Sequence, residues 1–255
     1  MGHQSSTQSL SLQNLASSSL VSILLGSCLV GVFLCPKGLR AEELPNDLPN
    51  VGDGTVQVTF VPPNGDAPRE TRGGAARDSS CLEAEDTDLS LTALVPQSNY
   101  GLTTQSHPVF LVYAPSVPTG SVFFNLRDEQ GQSVYETFLP IQNTSGVVTI
   151  AMPKDAPPLE VGKAYEWGVA VPCSARLRPD SPFVSSWVRR IEEEEALGNE
   201  LNPSLEYASQ YGQEGIWYDM LALLAELREF APDSDTVNHN WLNVLQSANL
   251  AEVDS

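Results

Sequence analysis

The chain has 255 residues, of which 41% are hydrophobic, and 32 acidic side chains against 13 basic ones give a formal net charge of −19. A surface that binds a phosphate backbone needs clustered Lys and Arg, so this charge argues against a nucleic-acid partner and against attachment to anionic lipid. The length allows one domain of about 100 residues with an accessory piece.

Residues 1–41 have the composition of a leader. After a polar start, residues 20–35 are almost wholly apolar, which suits the core of a signal peptide and is short for a bilayer span of about 20 residues. We predict a signal peptide or membrane leader. A cleaved signal, an uncleaved anchor and a lipoprotein signal at Cys28 remain open. Each places the rest of the chain outside the cytoplasm, in the periplasm or cell envelope. Membrane contact is expected only through the leader, if it is not cleaved.

Residues 42–80 are rich in Pro, Gly and Asp and are predicted to be a flexible linker, because such a composition cannot support a core. Within this linker, residues 56–61 have the composition of a short strand. We expect that strand to join an edge of the domain that follows.

Residues 81–191 contain short runs rich in β-branched and aromatic residues, bounded by Pro, Gly, Asn or Asp. The runs are 89–95, 109–113, 121–128, 133–141, 147–152, 164–171 and 183–191. Several of them alternate with a period of two, as half-buried strands do. Residues 128–132 and 143–146 are predicted to be the loops of two successive hairpins. This pattern predicts an immunoglobulin- or fibronectin-like antiparallel β-sandwich.

The spacing of Leu159, Gly162 and Tyr165 is typical of a tyrosine corner, in which the hydroxyl at the start of a late strand binds upstream backbone. The alternative is simply a buried Tyr beside Trp167 in a β core. Trp167 occupies the position where antibody domains have a Cys, so we expect no antibody-type disulfide between the sheets.

Two cysteines, Cys81 and Cys173, bracket the strand block. Behind an export signal such a pair predicts a structural disulfide, and the alternative is two free thiols. Closing a loop of about 90 residues would stabilise the fold by at most about 4 kcal/mol.

Residues 192–255 form an acidic tail in which Arg228 is the only basic residue. Asn202 is expected to cap a helix that ends at Gly212. A second helix over 215–230 carries one apolar stripe, and either Asp235 or Asn238 caps a third. The pattern predicts a C-terminal α-helical hairpin region.

Three aromatic residues of this tail, Trp217, Tyr218 and Trp241, are candidate anchors for a protein partner, since buried aromatics dominate interface energetics. The alternative is that they attach the hairpin to the sandwich.

The chain contains three histidines and none of the common catalytic or nucleotide-binding motifs. We therefore expect no catalytic residue, metal ligand or cofactor. A carboxylate pair for glycoside hydrolysis remains an alternative, because such a pair is defined by the distance between its carboxylates in the folded protein and not by a sequence motif.

Several short segments occur in an order that resembles the cyanobacterial envelope family known as domain of unknown function 928. They are Ala93-Leu94-Val95-Pro96, His107-Pro108, Val134-Tyr135, residues 159–167, Trp187-Val188-Arg189-Arg190, residues 215–221 and Trp241. The resemblance covers about residues 89–250. It implies export and a cyanobacterial source, and it brings no activity, cofactor or catalytic residue. We predict a non-enzymatic interaction or structural module with an envelope protein as partner. The alternative is a carbohydrate-binding or carbohydrate-active envelope protein.

Overall fold

The computed structural model describes residues 56–63, 90–174, 176–192 and 203–254, all within the compact unit that spans residues 46–255. The predicted leader (1–41) and Cys81 lie outside these ranges. The strands are β1 Thr92–Ala93, β2 Tyr100–Thr103, β3 Val109–Ala114, β4 Ser121–Asp128, β5 Ser133–Pro140, β6 Gly146–Ala151, β7 Ala164–Ala170 and β8 Phe183–Arg190. The helices are α1 Leu205–Gln213, α2 Trp217–Phe230 and α3 Asp235–Ser247, followed by a 3₁₀ turn at Ala251–Asp254. None of the described helices is long and apolar enough to cross a membrane.

The strands form two sheets, one in the order β1-β3-β6 and one in the order β2-β8-β7-β4-β5. The mainly β fold with C-terminal helices is as predicted. The first predicted hairpin is confirmed, because β4 and β5 pair through the turn at 128–132. The second is wrong: β6 pairs with β3, with Ile150 opposite Phe110, so the chain crosses to the other sheet at 141–145. This crossing buries Val148 and Ile150 beside β3, whereas pairing with β5 would leave β3 without a neighbour on that side.

Strand β2 was not predicted. Because it pairs in parallel with β8, the prediction of a wholly antiparallel fold is wrong at this strand. Its four residues run parallel to β8, with Tyr100 opposite Trp187. The strand is short and contains Gly101, so its sequence has no β-branched run by which to recognise it.

The core lies between the two sheets. The Phe110 ring of β3 stacks on Trp167 of β7, with 4.6 Å between ring centroids, and on Phe124 of β4 at 5.6 Å. The predicted inward face of β4 is confirmed, since Val122, Phe124 and Leu126 are fully buried. Burial of these large apolar side chains is the main term that holds the sheets together.

The predicted contact of Tyr165 with upstream backbone is present. The Glu160 N–H donates to the Tyr165 hydroxyl at 3.3 Å. Gly162, in the turn between them, has φ of 79°, a conformation that glycine adopts without strain.

Two helices are capped by serines that were not predicted from the sequence as caps. Ser204 caps α1 by accepting from Tyr207 N–H at 3.3 Å, and Asn202 lies outside the described residues. Ser234 caps α3 by accepting from Val237 N–H at 3.4 Å, so the predicted caps Asp235 and Asn238 are wrong. A serine hydroxyl just before the first turn satisfies the free N–H groups, and the Asp235 carboxylate then lies near the positive end of the helix dipole.

Residues 56–63, in the predicted linker, lie against the helices and not at a sheet edge. Val61 N–H donates to the Gly212 carbonyl oxygen of α1 at 2.9 Å. The Asn240 side chain of α3 accepts from Val58 N–H at 2.7 Å and donates to the Val56 carbonyl oxygen at 3.1 Å. The rest of the predicted linker lies outside the described residues.

Candidate functional site

The three aromatic residues predicted as partner anchors lie inside the protein. Trp217 and Tyr218 begin α2 and Trp241 lies within α3, and their side chains are 0%, 2% and 1% exposed. In this conformation they offer a partner no contact surface. Trp217 and Tyr218 hydrogen-bond to Leu94 and Trp167 of the β region, and Trp241 contacts Arg228 of α2, while the role of the three as partner anchors stays a prediction.

The Tyr218 hydroxyl joins α2 to two strands of the five-stranded sheet. Trp167 Nε1 donates to it at 2.7 Å, and the hydroxyl donates to the Trp187 carbonyl oxygen at 3.0 Å. Burial raises the pKa of Tyr218 far above its usual value, so the hydroxyl keeps its proton. The group is a structural link.

Trp217 holds other parts of the chain against α2, and Trp241 joins α3 to α2. Trp217 Nε1 donates to the Leu94 carbonyl oxygen at 2.9 Å, and its ring packs edge-on with Phe60 at 4.7 Å between centroids. The Arg228 guanidinium lies 4.9 Å from the centre of the Trp241 ring, within the range of a cation–π contact.

Two described groups with acid–base chemistry, Asp219 and His107, have separate partners. Asp219 is 7% exposed and accepts from Thr104 Oγ1 at 2.7 Å, while its Oδ2 has no partner among the described residues. Burial raises the pKa of the Asp219 carboxyl. The hydrogen bonds that this carboxyl accepts lower its pKa, but the effect of burial is larger. His107 Nε2 lies 3.0 Å from the Ala156 carbonyl oxygen. Within the described part of the chain, no hydrogen bond joins the two as a catalytic pair.

Cys173 is half-buried in the segment after β7 and is not a free thiol. Its predicted partner, Cys81, lies outside the described residues. The pairing of the two cysteines stays a prediction.

Strand β6 lies at the edge of the three-stranded sheet, and its hydrogen bonds to β3 alternate along the strand. Met152, just past the strand, donates its N–H to the Pro108 carbonyl oxygen at 3.0 Å. In an antiparallel pair only every second residue bonds to the neighbouring strand. Val148 and Ile150, four and two residues before Met152, therefore bond to β3.

The residues between them direct their backbone N–H and C=O groups away from β3. These residues are Val147, Thr149 and Ala151. Thr149 lies opposite Leu111, whose carbonyl oxygen accepts from Leu94 N–H at 3.0 Å on the side of β1, in agreement with this assignment. No residue of the described chain pairs with the outward groups of β6, so among the described residues this edge is open.

Two cavities follow the open edge. The larger, about 360 Å³, lies between residues 139–143 at the end of β5 and residues 148–151 of β6. The smaller, about 230 Å³, lies between β6 and helices α2 and α3. Asn143, Thr149 and Glu229 line both cavities, which together form one groove around β6, the edge groove.

Natural sheets protect an exposed edge with charges, Pro or bulges. Strand β5, at the edge of the other sheet, has Glu136 and ends at Pro140. Strand β6 has the sequence Gly-Val-Val-Thr-Ile-Ala, with neither a charge nor a Pro. An uncharged, β-branched edge beside a groove is the arrangement expected where another strand binds.

The edge groove was missed from sequence because β6 was assigned to a hairpin with β5, which would have covered its edge. The available signal was the uncharged β-branched run at 146–151. Its meaning depends on which strand pairs with it, and that pairing is between residues far apart in sequence.

One comparison with known proteins found a match. The model of the family described as Domain of Unknown Function (DUF928) matches residues 72–255, which include every strand and helix described above. No curated protein and no solved structure gives a significant match. The chain belongs to the DUF928 family.

Proposed function

We propose that the protein is an exported, non-enzymatic interaction module whose edge groove binds an extended segment of a partner protein by strand addition. The observation that carries the proposal is the row of outward N–H and C=O groups on Val147, Thr149 and Ala151, directly beside the groove. Unpaired groups of this kind form a ready template for another strand.

The order of the strands supports the same proposal. If β1, β3, β4, β5, β6, β7 and β8 are lettered A, B, C, C′, E, F and G, one sheet reads A-B-E and the other G-F-C-C′, with β2 as an additional strand beside G. Immunoglobulin domains have A-B-E-D opposite G-F-C. We propose an immunoglobulin-like relationship on this basis, supported by the Tyr165 contact at the start of F. The place of strand D, beside E, corresponds to the open edge of β6.

The chemistry of the edge groove favours a particular kind of segment. Backbone bonds to β6 supply affinity, and alternate side chains of an added strand point into the groove. Glu229 lines both cavities, whereas Arg228, which lines the smaller one, lies against the Trp241 ring, and the whole chain has a net charge of −19. We therefore propose a partner segment of alternating apolar residues that carries Lys or Arg.

Export remains part of the proposal and rests on the apolar run at 20–35 and on the resemblance to a cyanobacterial envelope family. Fusion of residues 1–41 to alkaline phosphatase, which is active only outside the cytoplasm, tests it. An active fusion supports export, and an inactive fusion with intact expression contradicts it.

A displayed library of random ten-residue peptides, selected against the protein, tests strand addition. Selected peptides are made synthetically and their binding is measured by fluorescence anisotropy. Thr149→Pro removes an outward N–H without removing a bond to β3, and Thr149→Val is the matched control that keeps the N–H. We expect peptides with alternating apolar residues and Lys or Arg, whose affinity falls at least tenfold with Thr149→Pro and is kept with Thr149→Val.

Two results would contradict strand addition. One is a selection that enriches no peptide. The other is a set of peptides that bind the Thr149→Pro variant as well as the wild type, provided that both variants unfold at the wild-type temperature.

A further inference from the structure

The outer face of the five-stranded sheet carries a row of aromatic side chains. Phe138 of β5 lies opposite Phe123 of β4, Phe123 lies opposite Ala170 of β7, and Ala170 lies opposite Phe183 of β8. The rings of Phe123 and Phe138 are 5.2 Å apart between centroids. Phe138 is 52% exposed and Phe183 is 37% exposed, although both are large apolar residues.

A glycine brings Phe183 toward the other two rings. A Cβ atom on Gly168 of β7 would lie 2.6 Å from Cε2 and Cζ of Phe183, so the ring occupies the space above that glycine. The Phe183 ring therefore lies over β7, one strand closer to Phe123 than its own backbone. Together Phe138, Phe123 and Phe183 form a surface that we call the aromatic platform.

A row of polar groups runs beside the aromatic platform. Glu136, Asn125 and Ser185 occupy the next register positions on the same face of the sheet, about 7 Å along the strands. Ser185 Oγ donates to Glu166 Oε1 at 3.2 Å. The Asn125 amide, oriented to donate to the Gly168 carbonyl oxygen at 3.0 Å, accepts from Arg127 Nε at 3.3 Å.

We infer that the aromatic platform binds a neutral glycan with flat sugar rings. Sugar rings combine apolar C–H faces, which stack on aromatic rings, with hydroxyl groups around their rim, which need hydrogen-bonding partners. The aromatic platform supplies the first, and the exposed Glu136 and half-buried Ser185 supply the second, whereas Asn125 is buried and its amide is already paired. The site goes beyond the proposed function, because it lies on the outer face of the five-stranded sheet, whereas the edge groove follows β6.

The net charge of the chain indicates which class of glycan binds, and the charged residues on this face argue against a protein partner there. The net charge of −19 repels acidic polysaccharides, which leaves neutral ones. The cores of protein interfaces are depleted of charged residues. Here Glu136 and Glu166 lie within two register positions of the aromatic row.

Affinity electrophoresis in gels that contain hydroxyethyl cellulose (neutral) or alginate (acidic) tests the inference. The variants are Phe138→Ala and Phe183→Ala. Phe230→Ala is the matched control, since Phe230 is also 52% exposed but lies on α2. We expect hydroxyethyl cellulose to retard the wild type and the control equally, and each platform variant to weaken retardation at least fivefold while its circular dichroism spectrum is unchanged.

Several outcomes would overturn the inference. One is that hydroxyethyl cellulose does not retard the wild type. Another is that it retards Phe138→Ala as strongly as the wild type, and a third is that the wild type is retarded by alginate and not by hydroxyethyl cellulose. Light scattering adds a fourth: a wild-type dimer that Phe138→Ala converts to a monomer would assign the aromatic platform to an interface between copies of this chain.

Discussion

Trp167 Nε1 donates a 2.7 Å hydrogen bond to the Tyr218 hydroxyl, and this single contact joins a central strand of the larger sheet to the first turn of α2. Both side chains are buried, and the Phe110 ring of the smaller sheet contacts both of them. Residues from both sheets and from the helices thus meet at one point. We therefore expect these elements to unfold together.

Tyr218→Phe keeps the ring and removes the hydroxyl that Trp167 Nε1 and the Trp187 carbonyl oxygen contact. A buried donor left without a partner costs about 1–3 kcal/mol, so we expect the free energy of unfolding in urea to fall by that amount. The control is Tyr135→Phe, whose hydroxyl lies 3.5 Å from Asp155 Oδ1 at an exposed site, with an expected change within about 0.5 kcal/mol. Equal effects of the two changes would contradict the structural role of Tyr218.

Asn240→Ala tests whether residues 56–63 are part of the folded unit. The substitution leaves the buried Val58 N–H without its acceptor and removes the donor to Val56, so we expect a loss of about 2 kcal/mol in the free energy of unfolding. Asn243→Ala, on the same helix, is the control for helix propensity and should cost little. If Asn240→Ala unfolds at the same urea concentration as the wild type, this segment contributes no stability.

Asp219→Asn tests the buried carboxyl through the pH dependence of stability. The pKa of an unfolded Asp is about 3.9, and burial raises the pKa of Asp219 in the folded protein. The folded state therefore holds a proton that the unfolded chain releases, and stability from this group is lost as pH rises toward the folded pKa. We expect Asp219→Asn to gain stability relative to the wild type as the pH rises above the pKa of the unfolded side chain.

Urea unfolding at several pH values measures this effect. Asp233→Asn, at an exposed position between α2 and α3, is the control and should follow the wild type throughout. Parallel pH profiles for the wild type and Asp219→Asn would contradict a raised pKa.

The strands that the sequence predicted well are those with local evidence. Strand β4 alternates along its whole length, and the turn at 128–132 fixes its pairing with β5, so both could be placed from the chain itself. The pairing of β6 with β3 is decided by burial of Val148 and Ile150 against residues about 40 positions earlier, which no local pattern contains.

The two candidate sites depend on the register between paired strands, and therefore they could not be predicted from the sequence. Phe123, Phe138 and Phe183 are ordinary members of three separate runs until strand pairing aligns them in one row. The open groups of β6 likewise follow from which of its residues bond to β3. By contrast, the apolar stripe of α2 did predict a buried helix, and Met220, Leu224 and Leu227 are fully buried.

Hydrogen exchange of single backbone amides, followed by nuclear magnetic resonance, tests the central claim most directly. In the free protein we expect the Thr149 and Ala151 amides to exchange quickly and those of Val148 and Ile150 slowly, because only the latter bond to β3. Binding of a selected peptide should slow the exchange of the Thr149 and Ala151 amides at least tenfold. If all four amides are equally protected in the free protein, or if the bound peptide leaves Thr149 and Ala151 unchanged, then β6 is not an open edge that binds a strand.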